Sequence, residues 1–217
     1  MYQRIDASQW RAVYIVGDLH GCLREFAQAL RGVRFDPWQD LVISVGDVID
    51  RGEDSAGCLA LTECRWFRCV LGNHEAMALD ALDGGDYALW YLNGGSWYTR
   101  LAGAARKRAE NQLMRLKTFP LIIELVLAEQ RIIIAHADYP ADHYAWQQPV
   151  KRMPVLWNRE RLSRCMKGEV HSISGISGAD AFYFGHTPLN ARFDCGNLHY
   201  IDTGAVFGNS LTLLRLQ

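Results

Sequence analysis

Leu41-Val42-Ile43-Ser44-Val45-Gly46-Asp47-Val48-Ile49-Asp50-Arg51-Gly52 is the stretch on which the reading of this chain turns. A short apolar run closed by a glycine reads as a buried strand entering a tight turn. The turn needs its glycines, but it does not need two aspartates and an arginine, so those residues point to chemistry. The same layout recurs on either side. Val13-Tyr14-Ile15-Val16 precedes Gly17-Asp18-Leu19-His20-Gly21, and Val70-Leu71 precedes Gly72-Asn73-His74-Glu75. Arg131-Ile132-Ile133-Ile134-Ala135 precedes His136, and Ala181-Phe182-Tyr183-Phe184 leads into Gly185-His186. Strands that lie side by side and end together deliver such residues to the crevice at their carboxyl ends.

Helical spacing fills the intervals. Leu23, Phe26, Ala27 and Leu30 share one helical face, Ser55 to Arg65 reads as a second helix capped by Asp54 or Ser55, and a third starts near His74 and runs to Leu82. Strand and helix alternate, which argues for an α/β fold with largely parallel pairing at its centre. The stretch 83–119 breaks the pattern. It holds Tyr87, Trp90 and Tyr91, turns at Asn93-Gly94-Gly95, and continues as an amphipathic helix over Ala104 to Lys117. Arg106, Lys107, Arg108, Arg115 and Lys117 give that helix a basic face. The stretch reads as a helical insertion forming a wall or lid. Leu198 to Ile201 and Leu211 to Leu216 look β-rich.

At 217 residues, 49% hydrophobic and 22% charged, the chain suits one ordinary globular domain over 1–217. A formal net charge of -1 supplies no long-range pull toward nucleic acid or an anionic membrane. The most apolar stretch, Leu121 to Ala128, is far shorter than the roughly 20 residues of a membrane span. The amino terminus has no signal-peptide layout, so the expected compartment is the cytoplasm and the six cysteines are expected to be free thiols.

Asp18, His20, Asp47, Asn73, His136 and His186 combine carboxylate, imidazole and amide with no thiolate. That set suits Mn first, with Fe, Mg or Zn as alternatives. Six ligands exceed what one catalytic ion with open positions takes, and they fit two divalent ions sharing one carboxylate. Asp47, central in the order, is the expected bridge. Singly, each residue has a plainer reading, an Asp as a cap or turn residue and a His as a satisfied surface or core group. Five strand ends converging by chance is much less frequent than one.

The blocks Gly17-Asp18-Leu19-His20-Gly21, Gly46-Asp47-Val48-Ile49-Asp50-Arg51-Gly52 and Gly72-Asn73-His74-Glu75 resemble the signatures of the phosphoprotein phosphatase family of metallophosphoesterases. The resemblance is to its bacterial and lambda-phage branch of serine/threonine protein phosphatases. It continues through His136-Ala137-Asp138, Gly185-His186-Thr187-Pro188 and Asp202-Thr203-Gly204. It implies a calcineurin-like β-sandwich with helices on both outer faces. It also implies that Asp18, His20 and Asp47 hold one metal and that Asp47, Asn73, His136 and His186 hold the other. Arg51 and Arg159, with Asn73 and His74, would bind the phosphate. Arg161 competes with Arg159 for that role because the local motif is loose. His74 would be the general acid, paired with Asp50. The implied reaction is hydrolysis of phosphoserine or phosphothreonine, and of phosphotyrosine in a shallow site. The resemblance also implies direct attack by a hydroxide that the two metals would supply, with no phosphoenzyme.

A cysteine phosphatase is excluded because no cysteine is followed by Arg six residues later, and no Gly-x-Ser-x-Gly elbow is present. The closest rival is a symmetrical diadenosine tetraphosphate hydrolase, which shares the blocks and needs an aromatic stacking platform. Trp90, Tyr91, Trp97 and Tyr98 are its candidates, weighed against simple packing. A non-catalytic binding module fits poorly, because every ligand position is filled. A nucleic-acid role would rest on Arg106, Lys107 and Arg108, whose plainer reading is a solvated face. Glu75 and Asp138 are expected to orient ligands, Asp202 and Thr203 to brace the site. His143, His171 and His199 match no ligand position.

Overall fold

Alternation along the strands sorts the aliphatic residues into two cores. Val13, Ile15, Leu41, Ile43, Ile123, Leu125, Ile132 and Ile134 form one buried cluster. Their neighbours Tyr14, Val16, Val42, Ile122 and Ile133 belong to the other. Successive strand side chains point to opposite faces, so both faces of these strands are covered. That is why the strand sequences read as unbroken apolar runs.

The computed structural model describes residues 1–168 and 175–217; His171 lies outside them. The strands are β1 (Tyr2–Asp6), β2 (Ala12–Val16), β3 (Asp40–Ser44), β4 (Phe67–Cys69), β5 (Ile122–Leu127), β6 (Gln130–Ala135), β7 (Ala181–Phe184), β8 (Phe193–Cys195), β9 (Leu198–Tyr200) and β10 (Leu213–Arg215). The helices are α1 (Leu23–Gly32), α2 (Ser55–Leu61), α3 (Asn73–Leu82), α4 (Tyr87–Leu92), α5 (Gly103–Arg115), α6 (Arg152–Trp157) and α7 (Glu160–Met166). Strands β10-β2-β3-β4 make one sheet and β1-β5-β6-β7-β9-β8 the other. The cluster around Ile15 and Ile134 lies between the sheets, and the second cluster lies under the helices.

Register carries the strand ends to one edge. In the smaller sheet, β2, β3 and β4 run parallel, with Val16 beside Ser44 and Ser44 beside Cys69. In the larger sheet, β6, β7 and β9 run parallel, with Ile134 beside Tyr183 and Phe184 beside Tyr200. The five motif-bearing runs are thus split three and two between two sheets rather than lying in a single one. Their carboxyl ends are tied across the sandwich, where His136 Nδ1 donates to the Val45 carbonyl at 2.7 Å. Asp18 accepts from the His186 amide at 3.0 Å.

The 83–119 stretch is helical and packs against α2 and α3. Trp90, Trp97, Tyr98 and Leu113 are buried there, while the first two turns of α5 project into solvent. The basic face is largely engaged. Arg106 meets Glu110 and lies over the Tyr98 ring, Arg115 meets Glu63, and Lys117 meets Asp83. Among the described residues no helix is long and apolar enough to cross a membrane. All six cysteines are free.

Candidate active site

Five of the eight non-glycine residues with positive φ among the described residues are His20, Asp47, Asp50, Arg51 and His186, at 43–75°. Non-glycine residues enter this region at a cost of about 1–3 kcal/mol each. The turns after β2, β3 and β7 are therefore bent sharply enough to aim side chains back over the strand ends. Gly46, at φ 99°, permits this crowding: a Cβ there would sit 2.9 Å from both Gly72 Cα and His136 Nδ1. Glu75 stitches two of the loops together. Its buried carboxylate accepts backbone N–H groups from Asp47 and Gly72 at 2.9 Å, from Val48 at 2.9 Å and from Ile49 at 3.3 Å.

Asp47 sits at the centre. Its Oδ2 lies 3.6 Å from His20 Nε2, 3.4 Å from His136 Nε2 and 3.9 Å from His74 Nε2. Donor atoms of His20, Asp47 and His74 lie together, and so do those of Asp47, His136 and His186. Asn73 Oδ1 lies 2.8 Å from His136 Nε2 and 2.9 Å from His186 Nδ1. Asp18 is in neither donor group; its carboxylate accepts the His186 amide. All six sequence candidates are buried.

Charge and lone pairs both fit divalent cations. A carbonyl only accepts, so His136 Nδ1 and His20 Nδ1 must donate to Val45 and to Ile49, the latter at 2.9 Å. Each Nε2 is then a lone pair facing the cluster. Burial pushes the pKa of both His20 and His186 down to about 3, keeping them as neutral ligands. Burial opposes ionisation of Asp47 too, but His136, His74 and His20 hold its carboxyl well below the usual range. Burial, Asp202 and Asp47 push Asp18 well above that range. Carboxylates this close repel one another until a positive charge is shared among them.

Beside this cluster His74 Nδ1 meets Asp50 Oδ2 at 2.7 Å. Burial works against protonating His74, and Asp47 and Asp50 outweigh it, so its pKa lies above the ordinary value. The two arginines differ from their neighbour. Arg51 Nη1 donates to His20 Nε2 at 2.7 Å, and Arg159 Nε reaches His186 Nε2 at 3.3 Å, both on exposed side chains. Arg161 instead is held by Asp138 at 3.0 Å and Asp142 at 3.1 Å. His143 and His199 are engaged elsewhere, with Ser177 and Asp194.

Sequence reasoning missed how Asp50 is held. Trp97 Nε1 donates to its Oδ1 at 2.7 Å, and Trp90 Nε1 lies 2.9 Å from Oδ2 and 3.1 Å from Oδ1. Trp90, Trp97 and Tyr98 are at most 5% exposed. They are packing residues and offer no open face to a base. No spacing rule links residue 50 to residues 90 and 97; only the turn at Asn93-Gly94-Gly95 hinted that the two tryptophans fold back together.

The family model of calcineurin-like phosphoesterases matches residues 12–190. This chain belongs to that family. A calcineurin-like phosphoesterase carries a dinuclear divalent metal site, which is what the buried Asp and His groups fit. The chain is 52% identical over 217 residues to "Serine/threonine-protein phosphatase 1" of Salmonella typhimurium, covering all of this chain and 97% of that one. A symmetrical bis(5'-nucleosyl)-tetraphosphatase of Aggregatibacter actinomycetemcomitans is 47% identical, but over only 66 residues, 30% of this chain and 24% of its own. The crystal structure of a candidate diadenosine tetraphosphatase shares the phosphoesterase fold, with a TM-score of 0.69 at 21% identity over 99% of this chain and 93% of that one.

Proposed function

We propose that this calcineurin-like phosphoesterase is a protein phosphatase that hydrolyses phosphoserine and phosphothreonine, and phosphotyrosine where it reaches the site. The observation that carries this reading is the buried Asp50–His74 pair beside Asp47. A serine or threonine alkoxide leaves poorly without a proton, so a built-in acid matters most for an alkyl ester. A dinucleoside polyphosphate releases a far weaker base and needs a surface for its rings, and of the four aromatic candidates Trp90, Trp97 and Tyr98 are buried and only Tyr91 is half-buried. The full-length likeness to a relative of that name supports the same substrate class.

In this reading Asp18, His20 and Asp47 hold one cation, and Asp47, Asn73, His136 and His186 hold the second, with manganese the first choice for an oxygen-and-imidazole set. Bound there, the pair would supply Lewis acidity and an acidified water. Arg51 and Arg159 bring guanidinium groups that can fork onto phosphate oxygens, which a lysine would not copy. Asn73 and His74 complete the phosphate pocket. His74 gives the proton on Nε2 to the departing oxygen, while Asp50 takes the Nδ1–H hydrogen bond and fixes the ring. The phosphorylated partner is a protein or peptide. The free cysteines fit the reducing cytoplasm. The whole chain acts as one domain, with 83–119 as an insertion braced against the site.

The test is His74→Asn on the metal-loaded protein. Metal stoichiometry should be kept. Turnover of a phosphoserine peptide should fall by about 10²-fold or more, and turnover of an aryl phosphate by much less. Equal losses on both esters would count against the acid.

A further inference from the structure

Asp50 is fully buried, bends its backbone to φ 75°, and is met by two indoles from one segment of the 83–119 stretch. Each carboxylate oxygen is used: Oδ1 by Trp97 and Trp90, Oδ2 by His74 and Trp90. The two indole rings stand nearly perpendicular, at 87° with centroids 6.3 Å apart, so their N–H groups arrive from different directions. The same segment holds the next residue, since the Gly94 carbonyl accepts the Arg51 amide at 3.1 Å. Gly95 lets Trp90 lie close, because a Cβ there would strike the indole nitrogen. An indole N–H only donates, so this arrangement suits an acceptor that must not rotate. A phenylalanine, smaller and without an N–H, would pack there without fixing anything.

We propose that Trp90 and Trp97 are positioning residues for the general acid, their indole N–H groups locking the Asp50 carboxylate onto His74 Nδ1 so that His74 presents Nε2 to the leaving oxygen. This rests on the reading of His74 as the acid. The plainer account runs the other way, with Asp50 merely satisfying two buried indoles. The two accounts differ in which substrate suffers when a donor is removed.

The experiment replaces Trp97 by 3-(benzothiophen-3-yl)alanine, which keeps the bicycle and exchanges N–H for sulfur, and makes Trp90→Phe, each in the full metal-loaded chain with His74→Asn alongside. Turnover number on a phosphoserine peptide should fall about 10-fold or more with KM unchanged, part of the roughly 10²–10⁴ a general acid supplies. Loss on p-nitrophenyl phosphate should stay below about threefold, since that leaving group has little need of the acid. Adding the Trp97 analogue to His74→Asn should cost nothing beyond His74→Asn alone, because the group it positions is already gone. The downfield imidazole N–H proton resonance that His74→Asn abolishes should broaden or shift in both tryptophan variants. Equal losses on the two esters, full additivity with His74→Asn, or an unmoved resonance would overturn the brace while leaving His74 as the acid. Absence of the leaving-group signature in His74→Asn itself would sink the acid reading, and the brace with it.

Discussion

At the scale of single residues, the site works through tautomers and backbone strain more than through any one bond. Ile49 and Val45 carbonyls decide which ring nitrogens of His20 and His136 are lone pairs. Glu75 makes the strained turns affordable by gathering four backbone amides on one carboxylate. Burial and Asp47 push its pKa up to about 7, yet four N–H donors leave little room for a hydroxyl proton. Glu75→Gln must point an NH2 group at two of those amides whichever way it turns. We expect it to destabilise the fold by about 1–3 kcal/mol, read from the urea midpoint. A midpoint equal to wild type would mean the loops hold themselves. Glu75 was legible as a neighbour of the site, but not as the clasp between the turns after β3 and β4, because its partners are backbone groups that any sequence has.

At the scale of elements, the strand ends and helix starts followed the local pattern closely. The helical spacing from Leu23 to Leu30 became α1 at Leu23–Gly32, and Asp54 caps α2 by accepting the Gly57 amide at 2.7 Å. The entry to β2 and β3 is tied by charge. Arg11 forks onto buried Asp40, at 2.9 Å and 2.6 Å, and Asp40 also accepts the Asp36 amide. Burial alone would raise the Asp40 pKa; Arg11 and the Asp36 amide outweigh it and hold the carboxyl below its usual value. A depressed carboxyl contributes stability above the unfolded pKa of about 3.9 and loses it as pH falls through the folded value. Asp40→Asn should therefore destabilise by about 1–3 kcal/mol near neutral pH. Arg11 is half exposed, which places the effect toward the lower end of that range. The gap from wild type should narrow below about pH 4 in denaturation series run at each pH. A constant gap would show that the charge is irrelevant there.

At the scale of the whole molecule, two sheets close on a cluster whose charge favours cations, so metal and fold stability are linked. Ligands that bind only the folded state stabilise it by mass action, about 2.7 kcal/mol at one hundred times Kd. For a chain of 217 residues, that is about 5–10 °C in Tm. Chelation should lower the Tm and manganese should restore it by that amount in calorimetry. Asp47→Asn should lose most of the rise, and a full rise in that variant would refute the shared carboxylate. The local sequence by itself determined the strand-turn-helix units and the residues at their ends, because period-2 and helical spacings, glycine turns and capping groups act within a few positions. Periodicity alone did not show that those ends come from two sheets rather than one, although the resemblance of the motif blocks implied the sandwich. The tertiary structure alone decided that Arg159 rather than Arg161 faces the cluster, and that two tryptophans some forty residues on grip Asp50. Those outcomes depend on packing between distant segments, and packing leaves no period in the chain from which to read it.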